Sequence, residues 1–419
     1  MEISKLYEVF KSCNSVFTDT RKIIKGGIYF ALKGENFDGN DFANKAIENG
    51  AKYAVVDRPN LSYNKNIIKV QNTLSALQKL AKYHRDKLTI PIIGITGSNG
   101  KTTSKELIKS ILKTTYNCFA TKGNLNNHIG VPLSILSITD KHEIAIIEMG
   151  ANHEKEIDFL CNIASPSIGI ITNIGSAHLE GFKNIDGVIK AKNELYSYIK
   201  NNNGTVFVNS DDNLLLNLSK NIKRIEYGHS GTTKGKIINN TPFITIEYKK
   251  HKIKSRLIGD YQFSNLMLAI SIGEKFNIKK DNIRSGIENY LPNNNRSQVV
   301  TTNINTLILD AYNANPSSMK AMIKAFYNQN YTNKICILGD MLELGKYSNE
   351  KHIEILNLLR DYKLDYFLVG KIFYSIHKEK SFVSTEKLKK YLSHKILQNK
   401  TILIKGSRAL KLESLVEHL

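Results

Sequence analysis

The sequence predicts an α/β protein built from three blocks, and three observations lead to that prediction. Short segments rich in β-branched residues alternate with segments of helical spacing, which is typical of βαβ units and a parallel sheet. One such strand runs directly into a glycine-rich turn and a helix, as nucleotide-binding sheets do. The strand–helix pattern then starts again after an asparagine-rich stretch. At 419 residues the chain is too long for one core and suits two or three domains.

The first block covers residues 1–88. Its opening "MEISKLYEVFKSC" has an acidic residue and spaced apolar residues, so it predicts an amphipathic helix and not a signal peptide. The segments "GGIYFALKG" and "AKYAVVD" predict short strands. Helices are expected at "FANKAIENGA" and "TLSALQKLAKYHRD".

Two larger α/β blocks follow. In residues 89–298, strands are predicted at "IPIIGIT", "HEIAIIEMG", "PSIGIITNIG" and "GTVFVNSDD". In residues 299–419 they are predicted at "NTLILDAYN", "KICILGD", "DYFLVG" and "TILIKGS", each followed by a helical stretch. This last block predicts a separate Rossmann-like domain, and "LPNNNRSQ" before it is a plausible hinge.

Composition narrows the function classes. No apolar run reaches the roughly 18 residues of a membrane span, so no membrane partner is expected. The four cysteines, Cys13, Cys118, Cys161 and Cys336, form no C-x-x-C pair, which favours a reducing cytoplasm without disulfides or a zinc site. The net charge of +21 would suit nucleic acid, but the lysines are spread along a chain that lacks Trp. Small substrates with several phosphates and carboxylates are the favoured partners, and no nucleic acid is expected.

The stretch "ITGSNGKTTSKEL", residues 95–107, predicts a phosphate loop, although Ile95 stands where the usual pattern has glycine. A β-branched strand precedes it and a helical pattern follows, so backbone N–H groups and a helix N-terminus would point at the anion. Lys101 would reach the β- and γ-phosphates, and Thr102 would offer its hydroxyl to Mg²⁺. The alternative is a tight turn capped by Thr and Ser.

Polar side chains also follow the next two predicted strands. Glu148 ends "IAIIE", and His178 lies a few residues beyond "IGIIT". Because ligands bind outside the carboxyl ends of parallel strands, both are expected on the same rim as the phosphate loop. A carboxylate there suits a magnesium ligand or water organiser. Histidine suits magnesium less well, and ordinary loop packing is the alternative for His178.

Several motifs together resemble the Mur ligases. They are "GITGSNGKTT", "TKGNLNNHIGVPLSIL", "IIEMGANHEKEID", "TNIGSAHLEGF", "KAKNELY", "LILDAYNANPSSM" and "ILGDMLELG". "VFTDTRKIIKGGIYFALKGENFDGNDF" is similar to the family's N-terminal uridine-binding domain, so the resemblance covers nearly the whole chain. This family has the shortened loop T-G-x-x-G-K-T-T, which accounts for Ile95. "DAYNANP" and "GDMLELG" are most like members that join D-alanyl-D-alanine to UDP-N-acetylmuramoyl-tripeptide, a step toward peptidoglycan.

The resemblance implies a role for particular residues. ATP would be held by the phosphate loop and by residues across the cleft: Thr96, Gly97, Ser98, Asn99, Gly100, Lys101, Thr102, Thr103, Asn265, Arg296, Asp310 and Asn313. Magnesium would be held by Thr102, Glu148, His178 and Lys192, the last of which the family often carbamylates, with Lys190 as the rival position. The UDP-linked substrate would contact Thr20, Arg21, Asn124, Asn126 and Asn127. Lys101, Glu148, His178, Lys192 and Arg296 form the implied catalytic set.

Some positions depart from the family pattern. "GDYQFSN" has Tyr261 and Gln262 in place of the usual His and Asn, while Asn265 remains. Asn295 replaces the glycine before the arginine, and Asn40 replaces a histidine in the N-terminal block. The stretch 340–343 is assigned to the dipeptide pocket by resemblance, and a glycine-bounded structural turn is its alternative.

The implied reaction is an ATP-dependent ligation through an acyl phosphate, by a monomer whose C-terminal domain closes over the site. The alternatives are a sister ligase that adds one amino acid and a ligase like folylpolyglutamate synthase. The sister enzyme tends to have an "NPR" signature, which is absent from this sequence, and the synthase would lack the uridine-type block. A phosphate-loop switch or motor and a basic nucleic-acid ATPase remain as different classes. The switch or motor does not explain "GNLNN" or "DAYNANP", and steep salt-dependent binding to duplex DNA would favour the nucleic-acid ATPase.

Overall fold

Three main sheets organise the chain, one in each predicted block. The computed structural model describes residues 1–59, 64–177, 179–293 and 295–419, and in them the sheets have four, nine and six strands. Helices connect the parallel strands and pack on the sheets. The α/β class predicted from the strand–helix alternation is therefore confirmed.

The N-terminal domain packs short helices against a small parallel sheet. Its helices are α1 (Ile3–Lys11), α2 (Ala43–Glu48) and α3 (Thr73–Lys87), and its strands are β1 (Val16–Phe17), β2 (Ile28–Phe30), β3 (Lys33–Gly34), β4 (Phe37–Asp38), β5 (Tyr53–Val56) and β6 (Ile67–Lys69). The sheet order is β1-β2-β5-β6, and β3 and β4 form a separate hairpin. Helix α1 is amphipathic as predicted, because Leu6 and Phe10 are its buried residues. Leu77 of α3 lies in one apolar cluster with Ile135, so this domain packs directly on the next.

The central domain is built on the largest sheet. Its strands are β7 (Ile92–Thr96), β8 (Cys118–Ala120), β9 (Ile144–Glu148), β10 (Ile168–Ile171), β11 (Thr205–Asn209), β12 (Arg224–Gly228), β13 (Thr233–Asn239), β14 (Thr245–Tyr248) and β15 (His251–Lys254). Its helices are α4 (Lys101–Leu112), α5 (Gly130–Leu136), α6 (Glu156–Ala164), α7 (Leu179–Phe182), α8 (Ile185–Asn201), α9 (Asn213–Leu218), α10 (Phe263–Lys275) and α11 (Lys280–Glu288).

The central sheet is parallel where the site lies and antiparallel at one edge. Its order is β15-β14-β13-β12-β11-β10-β7-β9-β8, and β14 and β15 pair in antiparallel fashion. The sequence did not predict this edge, because its strands alternate buried and exposed residues and contain many lysines. β10, β7 and β9 are neighbours, so the residues after them meet at one rim of the sheet.

The C-terminal domain is a sheet covered by helices. Its strands are β16 (Gln298–Thr301), β17 (Asn305–Asp310), β18 (Lys334–Gly339), β19 (Asp365–Val369), β20 (Ser381–Phe382) and β21 (Lys400–Lys405), and its helices are α12 (Pro316–Tyr327), α13 (Ser348–Asp361), α14 (Lys371–Ile376) and α15 (Thr385–Leu392). The order β16-β17-β21-β18-β19-β20 inserts the last strand between β17 and β18. The strands are parallel except for β16, which pairs with β17 in antiparallel fashion. The ends of β17, β21 and β18 therefore form a continuous rim. Within the described ranges, no helix combines the length and apolarity needed to cross a membrane.

Asp340, directly after β18, is a structural residue. Its side chain is buried, and its two carboxylate oxygens accept the N–H groups of Ile372 and Phe373 at 2.9 Å, in the first turn of α14. Carboxylates stabilise helix starts in this way because they satisfy N–H groups that lack a partner within the helix. Asp340 is also absent from the lining of the main cavity. For this residue the structural turn, and not the dipeptide pocket, fits the contacts.

Asp340→Ala is expected to lower the free energy of unfolding by about 2–4 kcal/mol, because it removes two charge-assisted hydrogen bonds to buried backbone. Urea denaturation followed by circular dichroism measures the change. Asp361→Ala, an exposed acid at the end of α13, is the control and should stay within about 0.5 kcal/mol of the parent. Equal stability of the two variants would contradict the structural role.

Candidate functional site

A cavity of about 880 Å³ lies between the central and C-terminal domains. It is lined by the turn after β7, the ends of β9 and β10, the loop before α5, and residues that follow β17 and β21. Most residues selected from the sequence meet there: Ser98, Asn99, Gly100, Lys101, Thr102, Thr103, Asn124, Asn126, Asn127, Glu148, Asn265, Arg296, Asp310 and Asn313.

The turn after β7 has the backbone that a phosphate loop requires. Gly97 and Gly100 have φ values of +144° and +79°, which L side chains rarely adopt. A Cβ at Gly97 would also lie 2.0 Å from Thr172 Oγ1 of the neighbouring strand, so only glycine fits. Helix α4 begins at Lys101 immediately afterwards. Its free N–H groups thus face the cavity and can receive an anion.

Lys101 stands at the start of α4 with its ammonium folded back on the loop. Its Nζ donates to the Gly97 carbonyl at 2.6 Å. Burial lowers the pKa of Lys101, and the nearby positive charge of Arg296 lowers it further, whereas Glu148 opposes the shift. Both cations therefore belong to one electrostatic cluster, although they come from opposite sides of the cleft.

Glu148 at the end of β9 is the centre of that cluster. The residue is 2% exposed; its Oε2 accepts from Thr102 Oγ1 at 3.0 Å and its Oε1 accepts from Asn126 Nδ2 at 2.9 Å. Burial alone would raise the pKa of Glu148, but Lys105 and Lys101 outweigh it, so the pKa lies below its usual value. The carboxylate is consequently ionised at neutral pH.

Lys105 is a site residue that the sequence analysis missed. Its side chain is fully buried, with Nζ 3.3 Å from Glu148 Oε2 and donating to the Thr121 carbonyl at 2.7 Å. Thr121 in turn accepts the Glu148 N–H through its hydroxyl at 3.0 Å. Its spacing from Lys101 was a usable signal, since residues four apart share one face of a helix. Lys105 is thus the ion-pair partner of Glu148 among the described residues.

The three asparagines in the loop before α5 make different contacts. Asn126 holds Glu148, as described above. Asn127 is a helix-start residue, because its Oδ1 accepts the N–H groups of Ile129 at 3.1 Å and Gly130 at 2.9 Å. Asn124 lines the cavity with an exposed side chain. Of the three, Asn124 has the side chain most available to a substrate.

Lys192 in α8 is buried, whereas its rival Lys190 is exposed. The Lys192 ammonium lies 5.6 Å from the centre of the Phe182 ring, and the residue is only 2% exposed. Burial lowers the pKa of Lys192 to about 7, with a smaller contribution from Lys101. A large fraction of this amine is therefore neutral at physiological pH, as carbamylation requires.

Asn99 of the phosphate loop connects the two domains. Its Nδ2 donates to Ser317 Oγ and its Oδ1 accepts from Asn315 Nδ2, both at 2.8 Å. Asn315 and Ser317 lie at the start of α12 in the C-terminal domain. The domain that is expected to close over the site therefore already touches the phosphate loop.

Gln262 and Asn265 form a buried amide pair beside the phosphate loop. Asn265 Nδ2 donates to Gln262 Oε1 at 2.7 Å, and Asn265 Oδ1 accepts from Ser104 Oγ at 2.9 Å. Both residues and Tyr261 line the cavity. Tyr261 and Gln262, which depart from the family pattern, therefore lie at the site. Asn265 orients the side-chain amide of Gln262.

Asp310 and Asn313 follow β17 at the opposite wall. Asp310 Oδ2 lies 2.5 Å from the buried ammonium of Lys405, and Asp310 Oδ1 accepts the Ser297 N–H at 2.9 Å. Lys405 also donates to the Asn313 carbonyl at 3.3 Å. Asp310 is thus a paired carboxylate, and Lys405 is a second buried lysine that the sequence analysis did not select.

Some selected residues are not brought to this cavity. Arg21 is exposed and pairs with Asp19 at 2.8 Å, and neither Arg21 nor Thr20 lines the cavity. Thr96 and Gly97 lie in the strand and turn beneath it, and Lys192 is outside the lining. His178 lies outside the described residues.

Comparison with known proteins decides the family. The Mur ligase middle domain matches residues 95–273, the Mur ligase glutamate ligase domain matches 295–408, and the Mur ligase family catalytic domain matches 13–85. The chain belongs to the Mur ligase family. Its similarity extends to UDP-N-acetylmuramoyl-tripeptide–D-alanyl-D-alanine ligases of Bacillus subtilis, with 36% identity over 97% of this chain and 93% of that protein, and of Escherichia coli, with 32% identity over 97% and 93%.

Solved Mur ligase structures have the same fold. A crystal structure of MurF from Acinetobacter baumannii matches 99% of this chain and 97% of its own, with a TM-score of 0.87 and 29% identity. MurF from Thermotoga maritima, solved in complex with ADP, matches 96% of each chain with a TM-score of 0.84 and 27% identity. The likeness therefore includes all three domains.

Lys105→Met is expected to cost about 3–5 kcal/mol of unfolding free energy at pH 7, because it leaves the buried Glu148 carboxylate without its nearest cation. In the parent, the depressed pKa of Glu148 contributes stability above pH ~4.3, and this stability is lost as pH falls through the folded-state pKa. In the variant, burial dominates and raises that pKa, so protonation at low pH should relieve the cost.

Urea denaturation at pH 7 and at pH 4 checks this prediction, since the difference between parent and Lys105→Met should shrink at pH 4. Lys109→Met, one turn along the same helix with a 41% exposed side chain, is the matched control and should match the parent. A loss that stays the same at both pH values would indicate lost packing and contradict the charge argument.

Proposed function

We propose that this chain is an ATP-dependent ligase that joins D-alanyl-D-alanine to UDP-N-acetylmuramoyl-tripeptide, giving the UDP-muramoyl-pentapeptide of peptidoglycan synthesis, ADP and phosphate. One observation carries the proposal. The cavity brings a phosphate loop, an ionised buried carboxylate and an asparagine loop against the rim of a second α/β domain. Similarity over nearly the full length to ligases of this name supports the same activity.

The site is suited to activating a carboxylate. A carboxylate is a poor electrophile, so the terminal carboxylate oxygen of the tripeptide would attack the γ-phosphorus while the bond to ADP breaks. Phosphoryl transfer needs positioning and neutralisation of charge more than covalent help. Lys101 and the N–H groups at the start of α4 supply these on one side, and Arg296 supplies positive charge from the other.

The second step forms the amide. The dipeptide amine would attack the acyl carbon, phosphate would leave from the tetrahedral intermediate, and the nitrogen would lose a proton to give the peptide bond. Water would hydrolyse the same acyl phosphate, so the domains must exclude it. The Asn99 contacts with Asn315 and Ser317 support closure by the C-terminal domain.

We propose Mg²⁺ as the metal, held by Thr102 and Glu148. Their oxygens are 3.0 Å apart, and oxygen ligands suit Mg²⁺. The described residues contain no cluster of three or more His, Cys, Asp or Glu that could hold a metal, which fits an ion that takes its other ligands from phosphates and water. When bound, Mg²⁺ neutralises charge on the triphosphate. His178 remains a predicted further ligand.

We further propose that Lys192 is carbamylated. The ammonium would first lose a proton; the neutral amine would then add to the carbon of carbon dioxide and release a second proton, which leaves a carbamate anion in place of the buried cation. Near-complete burial and a pKa of about 7 support this reaction at Lys192. Lys190, in contrast, is exposed.

The alternative of a sister ligase that adds one amino acid is not favoured, because the near-full-length relatives carry the D-alanyl-D-alanine name. That the chain acts as a monomer stays a prediction. The cytoplasm is proposed as the location because all four cysteines are free thiols.

Phosphate release from ATP should require both UDP-muramoyl-tripeptide and D-alanyl-D-alanine, and single amino acids should not replace the dipeptide. Lys101→Ala should reduce the rate at least about a hundredfold, because it removes a cation at the transferred phosphate. Lys113→Ala, exposed just after the same helix, is the control. Phosphate release that ignores the dipeptide would refute the proposed function.

Lys192→Ala should abolish activity, and a small carboxylate such as acetate should restore part of it by replacing the carbamate. The parent enriched with ¹³C-bicarbonate should show a carbamate signal in NMR that grows as pH rises through 7, since only the neutral amine reacts. Lys190→Ala should retain both the activity and the signal. A parent spectrum without the signal would overturn carbamylation.

A further inference from the structure

Two arginines from different segments meet on the ring of Tyr312, which lines the cavity together with Arg296, whereas Arg408 lies outside the lining. The guanidinium carbon of Arg296 lies 3.7 Å from the centre of the Tyr312 ring, and that of Arg408 lies 4.9 Å from the same point. Tyr312 follows β17 and Arg408 follows β21, and these strands are parallel neighbours. The ring therefore presents both cations at the carboxyl rim of the C-terminal sheet.

Neither arginine has its charge neutralised. In the described ranges, no carboxylate lies within ion-pair distance of Arg296 or Arg408. Asp310, at the end of β17 two residues before Tyr312, is already paired with Lys405 at 2.5 Å. Each unpaired guanidinium can therefore still receive an anionic group, and an anion beside either one reduces their mutual repulsion. The arrangement thus points to an anionic ligand at this rim.

The two cations lie at different depths of the site. Arg296 is near enough to Lys101 and Glu148 to shift their pKa values, so it belongs to the phosphate end. Arg408 is exposed and lies outside the cavity lining. Because both distances are measured from one ring centre, the guanidinium carbons can be separated by at most the sum of 3.7 and 4.9 Å. An extended dipeptide spans about 7 Å, which lies within this upper limit.

We propose that Arg408 binds the terminal carboxylate of the incoming dipeptide while its amine lies at the phosphate end, near Arg296. This inference rests on the proposed function. The phosphate loop serves the triphosphate, and the dipeptide is the substrate whose one anionic group lies a dipeptide length from its reacting nitrogen. A guanidinium suits the task because its planar fork pairs with both carboxylate oxygens.

The proposed placement would also favour a dipeptide over a single amino acid. The carboxylate of one amino acid lies roughly 3.5 Å closer to its nitrogen, so an amine placed for attack would leave Arg408 unpaired. Arg408 is therefore a specificity residue that distinguishes nucleophiles by the distance between their amine and their carboxylate. Tyr312 is a positioning residue, since its ring fixes the guanidinium plane.

The test compares D-alanyl-D-alanine with its C-terminal amide as nucleophiles. Arg408→Gln should raise the KM for the dipeptide about 10- to 100-fold while the KM values for ATP and UDP-muramoyl-tripeptide stay within about twofold. The preference of the parent for the free acid over the amide should disappear in this variant. Arg408→Lys should recover only part of it, because the point charge lacks the fork.

Two further variants act as controls. Arg360→Gln removes the same charge from an exposed position of α13 and should leave every KM unchanged. Tyr312→Phe keeps the ring and should retain the acid preference, whereas Tyr312→Leu should lose most of it. Thermal unfolding of each variant shows that the fold is intact.

Other outcomes would overturn the proposal. A raised KM for ATP would assign Arg408 to a nucleotide phosphate, and a raised KM for UDP-muramoyl-tripeptide would assign it to a carboxylate of that substrate. Unchanged KM values for all three would make it a surface arginine. In each case the ligase activity of the parent would stand, so a failure of this inference is distinct from a failure of the proposed function.

Discussion

The buried carboxylate of Glu148 is the constraint on which the site depends. An ionised group that is 2% exposed is costly unless cations and hydrogen-bond donors surround it. Lys105 and Thr102 come from α4, Asn126 comes from the asparagine loop, and Arg296 comes from the segment before the C-terminal domain. Satisfying one carboxylate therefore holds the phosphate loop, the substrate loop and the inter-domain segment in one arrangement.

That arrangement gives each domain a separate task. The central sheet supplies the phosphate loop and Glu148 on one rim, and the C-terminal sheet supplies the rim formed by β17, β21 and β18. Asn99 links the two rims through Asn315 and Ser317. A nucleotide and an amine can thus be brought together from opposite walls, with the reacting carboxylate between them.

Much of the fold was predictable because it depends on local patterns. Buried parallel strands such as β7, β9, β17 and β21 are short runs of β-branched and aliphatic residues, and helices follow them at regular spacing. The antiparallel edge of β14 and β15 was not predicted, because strands with one exposed polar face resemble loops in composition. The insertion of β21 between β17 and β18 was not predictable either, since strand order depends on long-range pairing.

The sequence by itself determined the phosphate loop, the carboxylate after β9 and the family, because glycine spacing and motif order are local properties. Tertiary structure alone decided which charged groups are buried and which of them pair with each other. Lys105 and Lys405 look like ordinary helix and strand lysines until burial places their ammonium groups on Glu148 and Asp310. In the same way, only the tertiary structure shows that the Asp340 carboxylate accepts hydrogen bonds from the start of α14. It also shows that Lys192, and not Lys190, is the buried amine. The physical reason is that desolvation and charge pairing act between residues that are distant in sequence, so no local pattern records them.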